Sequence, residues 1–235
     1  MKKIEDLVIV VQARLNSERV PRKMLRNFAD TTLLDICLQK LKKSKIIPIS
    51  NIYLVAYENE LIECARRNDI NVFRRSEASA NSEGEDLRVL YEWWDKLPFK
   101  YGILVNACVP FLSIETIDNF VEEYLHSTDD GMFGVVAKKN YFWNKKGKLI
   151  SNDWTNEQEG MNTKYADPVL EAAHCLYASD LSLVGENKWM GDLTKEGDVV
   201  LYEIEHEFEV LDIDYEWQFR MCESLYSKLG ELGEK

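Results

Sequence analysis

Leu7 to Gln12 is an apolar, β-branched run without alternation, which predicts a strand buried on both faces. Thr31 to Ser44 then carries Leu33, Leu34, Ile36, Leu38 and Leu41 at helical spacing. The alternation continues. Strands are predicted at Asn51 to Tyr57, Asn71 to Phe73, Tyr101 to Asn106 and Met132 to Ala137, with helices at Glu60 to Asn68, Asp86 to Lys96 and Ile114 to His126. Ser76 to Glu85 is polar and reads as a loop. Val199 to Glu205 and Glu209 to Asp212 return to strand, and Tyr215 to Leu229 reads as a closing helix.

Strands separated by helices predict βαβ units, hence an α/β fold with a doubly wound, mostly parallel sheet. Ligands of such sheets bind beyond the carboxyl ends of the strands. Those ends carry Arg14, Arg74 and Asn106. Residues 138–168 break the rhythm, being polar and aromatic, with Lys146-Gly147 placed for a hairpin turn. This stretch reads as an arm inserted in a single domain spanning 1–235, and its Trp143, Trp154 and Tyr165 suit an interface or a lid. A ragged surface insertion has the same composition.

At 235 residues the chain suits one large domain with a self-sufficient core. Its 41 acidic against 29 basic residues give a net charge of −12, which argues against a nucleic-acid partner. No apolar stretch approaches the ~20 residues of a membrane span, and no secretory leader is legible at Met1. The five cysteines are scattered, without CxxC spacing, as reduced core thiols of a cytoplasmic protein would be.

Against that acidity, residues 12–27 hold Arg14, Arg19, Arg22, Lys23 and Arg26 with Glu18 as their one acid, a net +4. Arginine offers bidentate hydrogen bonds to phosphate oxygens and lysine a compact charge, so a polyphosphate site is one reading. A solvated basic loop is the other. Near the far end of the chain, Asp212 and Asp214 are two apart, sharing one side of an extended segment. Such a pair can hold a hard divalent cation together with phosphate oxygens, though Asp214 could equally cap the helix that follows.

Ala13-Arg14, Asn16-Ser17, Arg19, Pro21 and Lys23 resemble the opening signature of sugar-activating nucleotidyltransferases, above all the CMP-sialic acid synthetase (acylneuraminate cytidylyltransferase) family. The spore-coat polysaccharide nucleotidyltransferases, with a similar Gln-Ala-Arg opening, are close relatives. Residues 210–219, Val-Leu-Asp-Ile-Asp-Tyr-Glu-Trp-Gln-Phe, resemble that family's second signature and lie about 200 residues after the first. The resemblance implies a Rossmann-like nucleotidyltransferase fold, CTP and a sialic-acid-like keto sugar acid as substrates, Mg²⁺ or Mn²⁺ as cofactor, and a homodimer joined through the arm.

It also implies site residues. Gln12, Ala13, Arg14, Ser17, Arg19, Lys23, Arg74 and Asn106 are expected to bind nucleotide, Arg75 replacing or assisting Arg74. Asp212 and Asp214 are expected to hold the metal, and Arg14, Lys23 and Asp214 to act in catalysis. Ala107-Cys108-Val109-Pro110 departs from the family's Pro-Thr-Ser-Pro in all but Pro110, and Met24 stands where sialic-acid members have Asn. His174 falls in a faint counterpart of a family strand, as a structural histidine or a substrate contact. Three alternatives stand beside this reading: a nucleotidyltransferase with another nucleotide or a non-acid sugar, a non-catalytic sugar-nucleotide-binding module, and an assembly subunit.

Overall fold

The apolar run at the start of the chain becomes the middle of a seven-stranded sheet. The computed structural model describes residues 1–151 and 161–232. Strand β1 (Leu7–Gln12) pairs in parallel with β2 (Ile52–Ala56) on one side and β4 (Tyr101–Val105) on the other. Beyond them lie β3 (Asn71–Arg74), β5 (Gly131–Lys139), β6 (Pro168–Asp180) and β7 (Val200–Glu203), in the order β3-β2-β1-β4-β6-β5-β7. Only β6 runs against the rest.

The lack of alternation in β1 now has its cause, because both faces of the sheet are covered. Leu7, Ile9 and Val11 pack with α1 (Leu33–Leu41), α2 (Asn59–Arg67) and α5 (Ile114–His126), whereas Val8 and Val10 pack with Trp93 and Leu181. Thr32 and Ser113 cap α1 and α5 by accepting from the backbone N–H groups of Asp35 and Thr116. A smaller cluster of Val20, Phe28, Leu33, Ile36, Ile213 and Phe219 fastens the basic loop and α1 to the last helix, α7 (Glu216–Leu232). The remaining helices are short: α3 (Glu77–Asn81), α4 (Leu87–Leu90) and α6 (Ser182–Gly185). No described helix is long and apolar enough to cross a membrane.

Three expectations are corrected. The polar stretch read as a loop contains α3, whose cap is Ser76. The helix expected over Asp86 to Lys96 stops at Leu90, because the Leu90 carbonyl is taken by Gln12 Nε2 and Ser79 Oγ and Trp93 turns into the core. Glu209 to Asp212 is not a strand. Glu207–Val210 forms a 3₁₀ turn there, with Glu209 accepting from the Ser113 N–H and Phe208 stacked on Phe111 at 4.5 Å, and these contacts draw the chain off the sheet edge.

The 138–168 stretch leaves the sheet two residue pairs later than expected, since Lys138 and Lys139 still pair with Val169 and Pro168. Gly147 turns with φ of +80° inside a bridge between Trp143 and Leu149. Trp154 lies outside the described residues.

Candidate active site

The sheet switches direction of growth between β1 and β4, and a cleft opens above their carboxyl ends. One part of it, about 510 Å³, is lined by Gln12, Ala13, Arg14, Ser17, Arg19, Lys23 and Asn106 among others. An adjoining part of about 370 Å³ shares Gln12, Ala13, Arg14 and Glu83 with the first and is closed by Arg75, Ala80 and Ser82. The loop is held from behind. Arg75 Nη2 donates to the Ala13 carbonyl at 2.8 Å, and the Leu15 N–H donates to Glu58 Oε1 at 2.7 Å. Arg14, the residue between, is exposed and makes no hydrogen bond or ion pair among the described residues.

Arg74 does not line the cleft. It ends β3 exposed, its Nη2 donating to Asn59 Oδ1 at 2.8 Å. Successive side chains of an extended chain point to opposite sides, so it is Arg75 that turns inward, 3% exposed, with its Nε unpaired among the described residues. Burial lowers the pKa of this guanidinium, and Glu58 partly offsets that. Asn106 borders the cleft with its amide committed, donating to the His174 carbonyl and accepting from the Cys108 N–H. Cys108 beside it has its thiol pushed up to about 11 by burial, so it stays protonated at neutral pH.

The basic loop meets the Asp-Ile-Asp segment directly. Lys23 Nζ donates to the Ile213 carbonyl at 2.6 Å and lies 3.8 Å from Asp214 Oδ1. Arg19 donates to Asp214 Oδ1 at 2.8 Å, and Arg26 forms two 2.7 Å bonds to Glu216. Much of the loop's positive charge is therefore already matched by the start of α7. Asp214 does not cap that helix with its side chain; Gln218 Oε1 accepts from the N–H groups of Asp214 and Tyr215 instead.

Ile213 is fully buried, so Asp212 and Asp214 project away from the core on either side of it. Asp212 Oδ1 is buried with no hydrogen-bond partner among the described residues. Burial first, then the charge of Asp214, raises the Asp212 pKa, while Lys23 and His174 oppose the rise. An orphaned carboxylate oxygen beside a second carboxylate is a hard-oxygen donor set suited to a divalent cation. No group of three His, Cys, Asp or Glu side chains stands ready for a metal among the described residues. The pair would need further oxygens from a ligand.

Asp212 also walls a second cavity, of about 310 Å³, with Lys138, Glu171, His174, Glu207 and Phe208. A bulge shapes this cavity. Phe133 pairs with Tyr177 and Val135 with Ala172, so residues 173–176 of β6 stand opposite Gly134 alone. His174 occupies the bulge at a φ of +51°, exposed, with Nδ1 3.3 Å from Tyr177 Oη. The bulge is packed tightly onto Gly134, where an added Cβ would lie 3.3 Å from Ile204 Cδ1 and 3.5 Å from Cys175 Sγ. Glu58 and the Lys138 group carried no signal as site residues in the sequence, whereas Arg75 was already expected to replace or assist Arg74.

A family model described as "Cytidylyltransferase" matches residues 8–200. The chain belongs to the cytidylyltransferase family. Asp212 and Asp214 lie beyond the matched stretch. An uncharacterized protein of Methanocaldococcus jannaschii is 27% identical over 174 residues, an alignment covering 70% of this chain and 66% of that relative. Among solved structures, a CMP:2-keto-3-deoxy-manno-octonic acid synthetase complexed with CTP superposes with a TM-score of 0.69 at 10% identity, covering 95% of this chain and 99% of the other. A cytidylyltransferase from Leptospira borgpetersenii reaches 0.63 at 18% identity over 95% and 87%, and a 4-diphosphocytidyl-2C-methyl-D-erythritol synthase from Anaerococcus prevotii 0.64 at 13% over 94% and 96%. These likenesses show a nucleotidyltransferase-like α/β fold with a mostly parallel sheet. They are to cytidylyltransferases at large, not to the CMP-sialic acid synthetases in particular.

Proposed function

We propose that this protein transfers the cytidylyl group of CTP to a hydroxyl of a small acceptor and releases pyrophosphate. One observation carries the reading. Lys23 lines the cleft at the carboxyl end of β1 and is bonded to Ile213, whose neighbour Asp212 walls the second cavity. Triphosphate and acceptor would thus meet at the Asp212–Asp214 pair.

In this reading the base occupies the part of the cleft closed by Arg75. The O2 and N3 atoms of cytosine accept hydrogen bonds, and the Arg75 Nε–H is a buried donor without a partner. Arg14 and Lys23 neutralise the phosphates, with Ser17 and Gln12 beside them. The acceptor oxygen bonds to the α-phosphorus as the bond from phosphorus to the α,β-bridging oxygen breaks. Pyrophosphate leaves with that electron pair, and the hydroxyl proton passes to the aspartate pair. Mg²⁺ or Mn²⁺, held by Asp212 and Asp214, would supply Lewis-acid charge at the phosphates. Everything else is positioning by fixed groups.

The resemblance carried by residues 13–23 and 210–219 supports a keto sugar acid as acceptor, a homodimer and an arm that covers the acceptor. The ion pairs of Lys138 favour a second reading, an acceptor without a carboxylate. Pyrophosphate release with Mg²⁺, each of the four nucleoside triphosphates and a panel of acid, neutral and amino sugars tests the function. Release with CTP alone is expected; release with another triphosphate in preference, or no binding of CTP, overturns it.

A further inference from the structure

The cavity walled by Asp212 offers a carboxylate no uncommitted permanent cation among the residues that line it. Among the residues lining it, Lys138 is the one permanent cation. Its ammonium is hydrogen bonded to Glu207 and lies 3.4 Å from Glu171, so two carboxylates already share one positive charge. Hydrogen bonding to Glu207 is also the main reason that the Lys138 pKa is raised. Asp212, on the same wall, is assigned to the divalent cation and stands outside this balance. Of the basic loop's cations, Arg14, Arg19 and Lys23 line the nucleotide side rather than this cavity, and Lys23 and Arg19 are engaged by Ile213 and Asp214.

A keto sugar acid entering this cavity would bring its carboxylate against Glu171 and Glu207, which leave Lys138 no charge to spare. Glu171 and Glu207 are 60% and 58% exposed, so water screens the repulsion in part, and the arrangement disfavours an acid rather than attracting it. A hydroxyl or an amine meets the opposite situation. Carboxylates accept hydrogen bonds from either, and an ammonium would share the excess negative charge that Lys138 leaves unbalanced. The bulge presents His174, a further polar group, to the same space, and Phe208 supplies an apolar wall for the ring face of a sugar.

Resting on the cytidylyltransferase reading, we infer that the acceptor is a polyhydroxylated molecule without a carboxylate, neutral or bearing an amine, and that Glu171 and Glu207 set this preference by holding Lys138.

The test separates this inference from the function on which it rests. CTP and Mg²⁺ are titrated first by calorimetry, and absence of binding removes the nucleotide reading and the inference with it. With the non-hydrolysable α,β-methylene analogue of CTP bound, an eight-carbon keto sugar acid and its C1 carboxamide are then compared as probes. The carboxamide is expected to bind at least about tenfold more tightly. In the double variant Glu171→Gln, Glu207→Gln, which releases Lys138, affinity for the acid is expected to rise by about tenfold. Tighter binding of the acid to the wild type, equal binding, or no binding of either probe overturns the inference while leaving the function standing. The wild-type comparison decides by itself should the double variant not fold.

Discussion

Lys23 Nζ donates a 2.6 Å hydrogen bond to the carbonyl of Ile213, 190 positions later in the chain. That bond puts the basic loop and the Asp-Ile-Asp segment into one wall. The Lys23 side chain is 12% exposed, so its charge acts where water screens little.

Lys23→Gln is expected to lower kcat/KM for CTP by about 10²–10³-fold, the usual cost of one preorganised donor at a developing charge. The cleft's other cations would remain, so the loss should fall mainly on kcat. Steady-state pyrophosphate release checks this, and a purely raised KM would assign Lys23 to ground-state binding.

Arg75 and Arg74 give a paired test. Arg75→Met keeps the buried volume but removes a buried Nε donor that has no partner among the described residues, together with the brace on Ala13. CTP affinity should fall by roughly 10–100-fold, the worth of a buried hydrogen bond from a charged group. Arg74→Met removes only an exposed bond to Asn59 and should leave CTP binding unchanged by calorimetry.

Asp212→Asn should raise stability while abolishing turnover. The substitution removes a buried carboxylate whose Oδ1 has no partner among the described residues and which Asp214 repels. Because its folded pKa is raised above the unfolded one, Asp212 destabilises the protein at pH values above that folded pKa. The penalty lifts as pH falls toward the unfolded value. A gain of about 1 kcal/mol, some 2–4 °C in Tm, is expected at pH 7 in the absence of metal. Calorimetric melts would refute this if the variant were less stable.

Lys40 gives a pH signature. Its ammonium donates to the Pro110 carbonyl beneath the 106–110 loop, and burial lowers its pKa from 10.5 to about 8. Below pH 8 it is charged in both states and the folded protein bears the full penalty. Between pH 8 and 10.5 the folded state loses its proton first, the unfolded state binds more protons, and stability rises with pH. In Lys40→Met the penalty is gone. The variant's advantage over wild type should shrink by on the order of 2 kcal/mol from pH 7.5 to 10.5 in urea titrations. A difference that does not vary with pH would place the ammonium in water.

The buried strand and the alternation of strands and helices were legible in the sequence, and so were the residue types, basic over 12–27 and acidic at 212 and 214. Each depends on neighbours along the chain: an apolar run without alternation is buried on two faces, and Thr32 or Ser113 caps the residues just after it. The failures have the same source. Glu209 to Asp212 has strand-like composition, yet Ser113 and Phe111, about a hundred residues earlier, pull it into a turn. Only the tertiary structure decides that Arg75 rather than Arg74 faces the cleft, that Lys23 reaches Ile213, that β6 bulges to present His174, and that Lys138 is shared between Glu171 and Glu207. These relationships are fixed by sheet register and by charges that find each other across the fold. A local pattern holds the residue types but not their distances.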